Sequence, residues 1–336
     1  MARLKVLMVG AGYFGRLHLD AWMAHPRAEV VGIVDPAAGT HGTARIFNDL
    51  SAALAVVSPD LVDIATPPET HLALVRRAME VGIDAVCQKP FCGGLDAARE
   101  ALAAVPEGKM LAVHENFRFQ PWYRRIAELI AEGRLGEVHG VTFRLRPGDG
   151  NGPDAYRERQ PYFRNMPRFL VHETGVHLVD TFRFLLGEPD WVWADLRRLN
   201  PAIRGEDAGH VVLGFPNGTR ALLDANRLVD HAAQNTRRTM GEAWIDGSKA
   251  TVTLDGNGRL LLREHGRTES EDVSASFDPD TFGGGCVAAF QDHVVRHLLD
   301  GAPLETRAVD YLRNMEIVEA IYASAARGAR VELNDR

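Results

Sequence analysis

The sequence predicts an α/β fold: a doubly wound parallel sheet in the first part of the chain, followed by an α+β domain with an open, mostly antiparallel sheet. Three observations predict it. A glycine-rich turn joins a strand to a helix near the start, and apolar runs of strand length then alternate with amphipathic helices up to about residue 120. In the second half, short alternating strands are separated by Asn-Gly and Asp-Gly turns.

The first turn has the spacing of a dinucleotide-binding fingerprint, Gly-Ala-Gly-Tyr-Phe-Gly over 10–15, between an apolar strand and an amphipathic helix. Gly10 permits a tight turn, Gly12 lets the backbone approach a pyrophosphate, and Gly15 lets the helix pack closely on the strand. The helix start offers N–H groups and a positive dipole end to phosphates. The cofactor-binding residues expected here are Gly10, Gly12, Tyr13, Phe14 and Gly15. The sequence thus predicts a Rossmann dinucleotide-binding domain over 1–120 and a second domain over 121–336.

Asp35 ends the second predicted strand, 20 positions beyond Gly15. Its carboxylate can accept both hydroxyls of an adenosine ribose and would repel a 2′-phosphate, and residues 36–38 include no arginine, which favours NAD over NADP. Arg45 could fold back toward the ribose and keeps NADP as the alternative. The structural alternative for Asp35 is a carboxylate that caps the following turn.

Several strand ends of the first half carry polar residues. Thr66, Lys89 and His114 directly follow predicted strands, as do Gly10 and Asp35. Because ligands of doubly wound sheets bind outside the carboxyl ends of the strands, we expect these five residues at one edge. Between Asp35 and the strand over 61–65 the pattern is weaker and predicts helices over 40–47 and 51–57.

Bulk properties narrow the class of protein. At 336 residues the chain is long enough for two domains, and its net charge of −7 gives no electrostatic basis for binding nucleic acid or an anionic membrane. Cys87, Cys92 and Cys286 lack zinc or redox spacing, so we expect no metal site and a reducing compartment. No apolar run reaches membrane-spanning length, and the first apolar run is a strand rather than a signal peptide. We expect a soluble cytoplasmic protein.

The second half contains hairpin signals and one long loop. Turns are predicted at 217–218, 246–247 and 255–258, and helices over 287–299 and 308–327. The loop over 147–169 is long enough to be a lid or binding loop. It holds four arginines, together with Tyr156, Tyr162 and Phe163 among its aromatic residues; the arginines are Arg157, Arg159, Arg164 and Arg168. Arginine forks suit carboxylates and aromatic faces suit sugar rings, whereas the alternative is that these arginines bridge acidic surface or a partner subunit.

Two segments carry proton-transfer chemistry. Lys89 lies between a buried strand and a proline, where partial burial would lower its pKa toward a range useful for proton transfer; the alternative is a surface lysine. In residues 172–180, His172 and His177 would diverge by about 140° around an α-helix, which argues against a shared metal. Glu173, His177 and Asp180 would share a face, and this suits a base with an orienting carboxylate as well as a structural network.

These motifs together resemble the glucose–fructose oxidoreductase/inositol dehydrogenase/rhizopine catabolism (Gfo/Idh/MocA) family over nearly the whole chain. The matching segments are Gly10-Ala11-Gly12-x-x-Gly15, Ala65-Thr66-Pro67-Pro68-x-x-His71, Lys89-Pro90, Asn116-x-Arg118-Phe119-x-Pro121, Gly133-x-Leu135-Gly136-Glu137 and Gly175-x-His177-x-x-Asp180. The resemblance implies an NAD(P)-dependent oxidoreductase that acts on a hydroxyl or carbonyl of a sugar, cyclitol or related polyol.

The resemblance also implies roles for individual residues. Lys89 would hydrogen-bond or protonate the substrate oxygen, and His177 would exchange the proton while a hydride moves to or from nicotinamide, with Glu173 assisting. Cofactor contacts would extend to Thr66, Pro67, His71 and Lys89. Substrate contacts would come from Lys89, His114, Asn116, Arg118, His172, Glu173 and His177. The second domain would bind substrate and form a homodimer or homotetramer through its sheet, where Trp191 and Trp193 would otherwise face water.

The chain departs from the family pattern at two positions. Gln88 stands where the family usually has glutamate, which removes a charge near Lys89, and Glu173 stands where it often has aspartate. Two other functions stay open at this point: an NAD-dependent glycoside hydrolase of the same family, and a non-catalytic NAD(P)-sensing regulator on the same fold. A regulator would not need the pair Lys89 and His177, which argues against it.

Overall fold

The computed structural model describes residues 3–36 and 44–333. The chain divides into two compact units: unit 1 comprises Met1–Asn116 and Val287–Met315, and unit 2 comprises Phe117–Cys286 and Glu316–Arg336. The boundary drawn at residue 120 from sequence had assigned 287–315 to the second domain. In the structure this segment belongs to unit 1, because the carbonyl of Thr306 accepts the N–H of Val113 and residue 307 bridges to residue 112.

Unit 1 is built on a six-stranded sheet in the order β3-β2-β1-β4-β5-β6, in which every described pairing is parallel. The strands are β1 (Leu4–Val9), β2 (Ala28–Val34), β3 (Ile46–Phe47), β4 (Leu61–Ile64), β5 (Asp84–Gln88) and β6 (Leu111–His114). The helices between them are α1 (Tyr13–Ala24), α2 (Leu50–Leu54), α3 (Pro68–Glu80) and α4 (Leu95–Ala103). The predicted doubly wound parallel sheet is confirmed.

The region after Asp35 differs from its prediction. The helix predicted over 40–47 is wrong at its end, because Ile46–Phe47 forms β3 and pairs in parallel with the end of β2; residues 40–43 lie outside the described ranges. An aromatic and a β-branched residue suit this strand position better than a helix. The helix predicted over 51–57 is the shorter α2, whose first turn is capped by Asp49 through a 2.8 Å bond from the N–H of Ala52.

Unit 2 contains a nine-stranded sheet in the order β14-β13-β12-β11-β7-β10-β9-β8-β15, with antiparallel neighbours except for the parallel pair β7 and β10. The strands are β7 (Val138–Leu145), β8 (Trp191–Arg197), β9 (Ala208–Gly214), β10 (Arg220–Asn226), β11 (Gly241–Gly247), β12 (Ala250–Leu254), β13 (Leu260–Glu264), β14 (Glu271–Asp272) and β15 (Val331–Glu332). The helices are α5 (Pro121–Ala131) and α6 (Val176–Leu186). The predicted mostly antiparallel sheet is confirmed.

The alternation of residues along these strands gives the sheet one buried face. One cross-strand row is buried throughout: Leu262, Val252, Ile245, Val141, Ala221, Leu213 and Val192. The hairpin turns predicted at 217–218 and 255–258 are confirmed. The turn predicted at 246–247 lies at 248–249 instead, because Asp246 pairs with Thr251 and Gly247 pairs with Val138 inside the sheet.

Two further helices follow the sheet: α7 (Cys286–Asp300) and α8 (Ala308–Arg327). From Val287 onward α7 belongs to unit 1, and the division between the units falls within α8, after Met315. In the described ranges, 3–36 and 44–333, no helix combines the length and the apolar character that a membrane crossing requires.

Candidate active site

The carboxyl edge of the parallel sheet brings together the predicted cofactor and proton-transfer residues of unit 1. Paired residues near the carboxyl ends of five adjacent strands form one row across the sheet: Val34, Val9, Ile64, Cys87 and Val113. The next residue of each strand therefore emerges at the same edge, and this places Asp35 and Gly10 beside the segments that carry Thr66, Lys89 and His114. Such an edge is where doubly wound sheets bind ligands.

The glycine turn fits a dinucleotide pyrophosphate. Gly10 has a φ of +94°, and a Cβ there would lie 2.6 Å from the carbonyl oxygen of Ala65. A Cβ on Gly15 would lie 2.3 Å from the carbonyl oxygen of Gly10, so the close contact between helix and turn requires glycine. A Cβ on Gly12 would meet no described atom within 4 Å, and no described side chain caps this end of α1. The start of α1 at this turn therefore suits the phosphate oxygens of a dinucleotide.

Asp35 is tied to the same turn. Its Oδ2 accepts the N–H of Ala11 at 2.7 Å, which holds the carboxylate at the end of β2 beside the glycine turn. That place suits contacts with ribose hydroxyls. The guanidinium of Arg45, on which the NADP alternative depended, lies 5.6 Å from the centre of the Phe47 ring.

The segment after β4 forms a compact turn at the same edge. Pro67 is the residue that precedes α3, and the hydroxyls of Thr66 and Thr70 are 2.6 Å apart. His71 is buried, and its Nε2 donates to the carbonyl of Thr66 at 2.8 Å. Burial lowers the pKa of His71, so the imidazole is neutral and fixes the turn rather than carrying charge to a phosphate.

Lys89 lies at the end of β5 and is only 9% exposed. The peptide bond to Pro90 is cis, and the backbone N–H of Lys89 donates to Oε1 of Gln88 at 2.7 Å. The Gln88 side chain also contacts Nε2 of His18 at 3.0 Å. The family departure at position 88 is therefore part of a buried hydrogen-bonded assembly directly behind Lys89.

Two residues near the end of β6 differ in their surroundings. His114 is fully buried, with its ring 3.9 Å from the ring of His18 and 4.2 Å from that of Phe290, which favours packing over direct substrate contact. Asn116 is 2% exposed, and its Nδ2 has no hydrogen-bond partner among the described residues. A buried amide donor without an acceptor is costly, and a bound ligand would satisfy it.

In unit 2 the histidine-rich segment begins with a π-helical turn over Leu170–Gly175, so the prediction of α-helical geometry throughout 172–180 is wrong for this part. Glu206 holds the start of the turn: its carboxylate accepts the N–H groups of Phe169 and Val171 at 3.1 Å. Tyr322 donates to the same carboxylate at 2.5 Å and accepts the N–H of His172 at 3.2 Å. Because these bonds engage the backbone N–H groups of Phe169, Val171 and His172, the start of the segment does not follow the hydrogen-bond pattern of an α-helix. Single π-turns of this kind are frequent at functional sites.

His177 follows on the first turn of α6 and is 4% exposed. Its ring stacks on Phe117 with a centroid distance of 4.0 Å and an interplanar angle of 5°. Arg118, which follows Phe117 in the sequence, donates to both carboxylate oxygens of Asp180, at 2.7 and 2.6 Å. Asp180 thus orients Arg118, and stacking on Phe117 sets the plane of the His177 imidazole.

Glu173 belongs to a charged cluster that sequence reasoning missed. Thr174 donates its hydroxyl to Glu173 Oε2 at 2.5 Å and accepts Nη1 of Arg227 at 2.6 Å, and that guanidinium lies 3.6 Å from Glu173. Arg227 is 1% exposed, and it also pairs with Asp149 at 2.8 Å. Burial alone would lower the pKa of Arg227, but the charge of Asp149, supported by Tyr156 and Glu173, raises it above its ordinary value. The carboxylate of Glu173 is therefore held beside a permanent cation.

The loop over 147–169 packs within unit 2 around this cation. Tyr156, Phe163 and Phe169 form a buried cluster with two aliphatic side chains, and the Arg227 guanidinium lies within 4.6–5.6 Å of their ring centres. The four arginines of the loop also have partners in unit 2. Arg157 pairs with Asp154, Arg159 with Asp149 and Arg168 with Glu319, while Arg164 bonds to two backbone carbonyls. These contacts favour the interpretation that the arginines bridge the protein's own acidic groups.

Among the described residues no group of three or more His, Cys, Asp or Glu side chains could hold a metal ion. The three cysteines are buried and form no disulfide among the described residues. Burial raises the pKa of the Cys92 thiol to about 12 and that of Cys87 well above its ordinary value. Neither thiol is therefore a thiolate nucleophile at neutral pH.

Comparison with known proteins identifies the class. Residues 4–117 match the oxidoreductase family with an NAD-binding Rossmann fold, and residues 123–253 match the GFO/IDH/MocA C-terminal domain. The D-apiose dehydrogenase of Paraburkholderia graminis is 33% identical over 98% of this chain and 90% of its own length. That of Rhizobium rhizogenes is 30% identical over 99% and 98%. An Agrobacterium radiobacter oxidoreductase, crystallised with NAD+, L-tartaric acid and magnesium, superposes with a TM-score of 0.86 at 28% identity over 98% of both chains.

The fold, the glycine turn and these matches define an NAD-binding oxidoreductase, a dehydrogenase that acts on CH–OH groups. The chain belongs to the Gfo/Idh/MocA family. The family resemblance, the enzyme class and NAD as cofactor are thereby confirmed.

Proposed function

We propose that this enzyme oxidises a hydroxyl-bearing carbon of a small sugar, with D-apiose and related pentoses as the first candidates, and that Lys89 and His177 handle the proton. The substrate class is supported by two D-apiose dehydrogenases that are 33% and 30% identical over almost the whole chain. The observation that carries the chemistry is the shared edge of the parallel sheet: Gly10 and Asp35 lie one residue beyond a common cross-strand row, and Lys89 lies two residues beyond it.

The proposed reaction breaks one C–H and one O–H bond and leaves a carbonyl. NAD, when bound at the glycine turn, supplies the acceptor for the hydride. The Lys89 ammonium holds the substrate oxygen as its charge changes, and the His177 imidazole takes the hydroxyl proton. The ring of His177 needs a fixed plane for this task, and its stacking on Phe117 provides one.

Glu173, His172, Arg118 and Asn116 are proposed to line the substrate. Two of these side chains are held by their neighbours. The carboxylate of Glu173 is held by Thr174 and Arg227, and Arg118 is held by Asp180. The unsatisfied amide of Asn116 is a donor for a substrate or nicotinamide oxygen. His114, which is buried between two rings, is proposed to support the site from behind.

A substrate panel tests the proposal. Purified enzyme is incubated with NAD and, in parallel, D-apiose, other pentoses and hexoses, myo-inositol, L-tartrate and an aryl glycoside, while NADH absorbance and glycoside cleavage are followed. Net NADH formation with a pentose, fastest with D-apiose, is the expected result. Cleavage of the glycoside without net NADH would instead support the hydrolase alternative, and NAD binding without any turnover would support the regulator.

We also propose that the enzyme is a homodimer joined through the open face of the unit 2 sheet. On this face one cross-strand row is only half-buried: Leu261, Thr253, Trp244, Thr142, Leu222, Val212 and Trp193. Five of these seven side chains are apolar, and a mostly apolar row that crosses seven strands of an open sheet is typical of a protein interface.

The oligomeric state is measured by light scattering coupled to size exclusion. Leu222→Glu places a charge at the centre of the row and should convert dimers to monomers. Val56→Glu, at a valine that is 52% exposed in unit 1, is the matched control and should leave the dimer intact. A monomeric wild type, or a dimer that survives Leu222→Glu, would contradict the proposed interface.

A further inference from the structure

A chain of hydrogen bonds runs behind Lys89 in unit 1. Asp63 Oδ2 accepts Nε1–H of Trp22 at 2.7 Å and lies 2.9 Å from Nδ1 of His18. The other ring nitrogen of His18 lies 3.0 Å from Nε2 of Gln88, and Oε1 of Gln88 accepts the backbone N–H of Lys89 at 2.7 Å. All four supporting side chains are buried. The chain therefore links a buried carboxylate on β4 to the backbone of the proposed catalytic lysine.

The two ends of the chain fix the direction of every bond. A backbone N–H can only donate, so the Gln88 atom that faces Lys89 must be the amide oxygen. The other Gln88 atom is then an NH₂ group, which can only donate, and Nε2 of His18 must accept. At the far end the Asp63 carboxylate accepts, so Nδ1 of His18 carries the proton. The chain closes only when His18 is a neutral imidazole of the Nδ1–H tautomer.

The other described contacts of His18 do not involve its ring nitrogens. The His114 ring stacks on it from β6, and Gln291 on α7 donates to its backbone carbonyl at 2.9 Å. Among the described residues that contact His18, which are Asp63, Gln88, His114 and Gln291, Asp63 is the one carboxylate.

We propose that Gln88 and His18 are positioning residues that fix the backbone of Lys89. They do so only while His18 carries its proton on Nδ1. The inference rests on the proposed role of Lys89. It explains why an uncharged amide serves at position 88: both of its polar atoms are used, and neither changes protonation with pH.

An isosteric substitution tests the proton arrangement. In Gln88→Glu one carboxylate oxygen still accepts the N–H of Lys89, but the other faces the lone pair of His18 Nε2 at about 3 Å. Two acceptors repel unless a proton lies between them, so the variant should bind one more proton, as an imidazolium between two carboxylates. As pH rises and that proton leaves, the contact breaks and a new negative charge remains beside Lys89.

The histidine tautomer is read directly by long-range ¹H–¹⁵N NMR on ¹⁵N-histidine-labelled enzyme with NAD bound, and the His18 signals are assigned by their loss in His18→Gln. For the wild type we expect a protonated Nδ1 and an unprotonated Nε2 at neutral pH. For Gln88→Glu we expect both nitrogens protonated at low pH and one proton lost as pH rises. A wild-type Nε2–H tautomer or imidazolium would overturn the inference.

Kinetics separate positioning from general stability. With the sugar that is turned over fastest, kcat of Gln88→Glu should fall with rising pH along a limb that the wild type lacks. Gln88→Met, which keeps the volume and removes the acceptor, should lower kcat by about tenfold or more at every pH while the Kd for NAD stays within about twofold. Trp22→Phe is the matched control: it removes a bond at the far end of the chain, so Tm should fall while the shape of the pH profile is unchanged.

Failure of this inference can be told apart from failure of the proposed function. If Lys89→Met turns over sugar as fast as the wild type, the proposed role of Lys89 is wrong. If Lys89→Met is inactive while Gln88→Met and Gln88→Glu match the wild type in kcat and in pH profile, then Lys89 keeps its role and the positioning inference is wrong.

Discussion

Lys89 in unit 1 and the π-helical turn in unit 2 are each held in place by buried side chains. The two sets of side chains differ in charge. Lys89 is held through neutral partners, an amide and an imidazole, and the one charge of that chain is on Asp63 at its far end. The π-helical turn is held by ions: Glu206 at its start, and Arg227 with Asp149 behind Glu173. The hydrogen bonds behind Lys89 depend on which ring nitrogen of His18 carries the proton. The buried ions of unit 2 depend instead on keeping their oppositely charged partners.

The largest expected effect on stability lies in unit 2. Arg227→Met leaves Asp149 and Glu173 without their buried cation, so we expect the free energy of unfolding, measured by urea titration, to fall by about 3–5 kcal/mol. Arg227→Lys keeps the charge but not the planar fork that reaches Asp149, Tyr156 and Thr174, and should recover only part of the loss.

Arg157→Met is the matched control, because it removes an exposed arginine of the same loop that pairs with the exposed carboxylate of Asp154. Its effect should stay below about 1 kcal/mol. Equal losses for the two methionine variants would mean that the buried cation does not organise this region.

A smaller effect is expected at the start of the π-helical turn. Tyr322→Phe removes the hydroxyl that donates to Glu206 and accepts the N–H of His172. Burial, together with the nearby charge of Glu206, raises the pKa of this tyrosine, so the hydroxyl keeps its proton at neutral pH. The free energy of unfolding should fall by about 1–2 kcal/mol. Tyr162→Phe, at a tyrosine that is 57% exposed, should change it far less, and the reverse order would contradict the assigned contacts.

The smallest effect is a pH dependence in unit 1. Burial lowers the pKa of His71 below 6.5, its value in the unfolded chain. Stability from this group is therefore complete above pH 6.5 and is lost as pH falls through the lowered pKa of the folded state, by at most about 1.4 kcal/mol per pH unit. His71→Gln keeps a donor for the Thr66 carbonyl and does not titrate, so urea titrations from pH 7.5 to 5.5 should show a shallower decline. Identical slopes would show that His71 does not contribute.

Most of the architecture could be predicted from local patterns. The glycine turn, the strand ends and the alternating hairpin strands each follow from spacings within a few residues, and the structure confirms both sheets. The pairing of Ile46–Phe47 with β2 and the return of 287–315 to unit 1 could not be predicted, because both depend on contacts between distant segments. The hairpin register at 246–247 was off by two residues because Gly247 pairs with Val138 and extends the strand.

The residues that hold the candidate site in place were harder to predict from the sequence. One signal was present: Asp63 is a charged residue inside the apolar strand over 61–65, and a buried carboxylate requires partners. His18 and Trp22, four residues apart on α1, supply them. Arg227, Glu206 and Tyr322 gave no comparable signal, since arginine or glutamate beside a strand end and tyrosine on a helix are ordinary on a surface. Their role follows from burial, which only the folded chain shows.

The central claim is that Lys89 and His177 handle the proton of an NAD-dependent sugar oxidation, and the most direct measurement is kcat for NADH formation beside the Kd for NAD in single variants. Lys89→Met and His177→Ala should each lower kcat by about a hundredfold or more while the Kd for NAD stays within about threefold. The matched exposed variants Lys109→Met and His139→Ala should behave like the wild type. Wild-type kcat in Lys89→Met or His177→Ala would contradict the account.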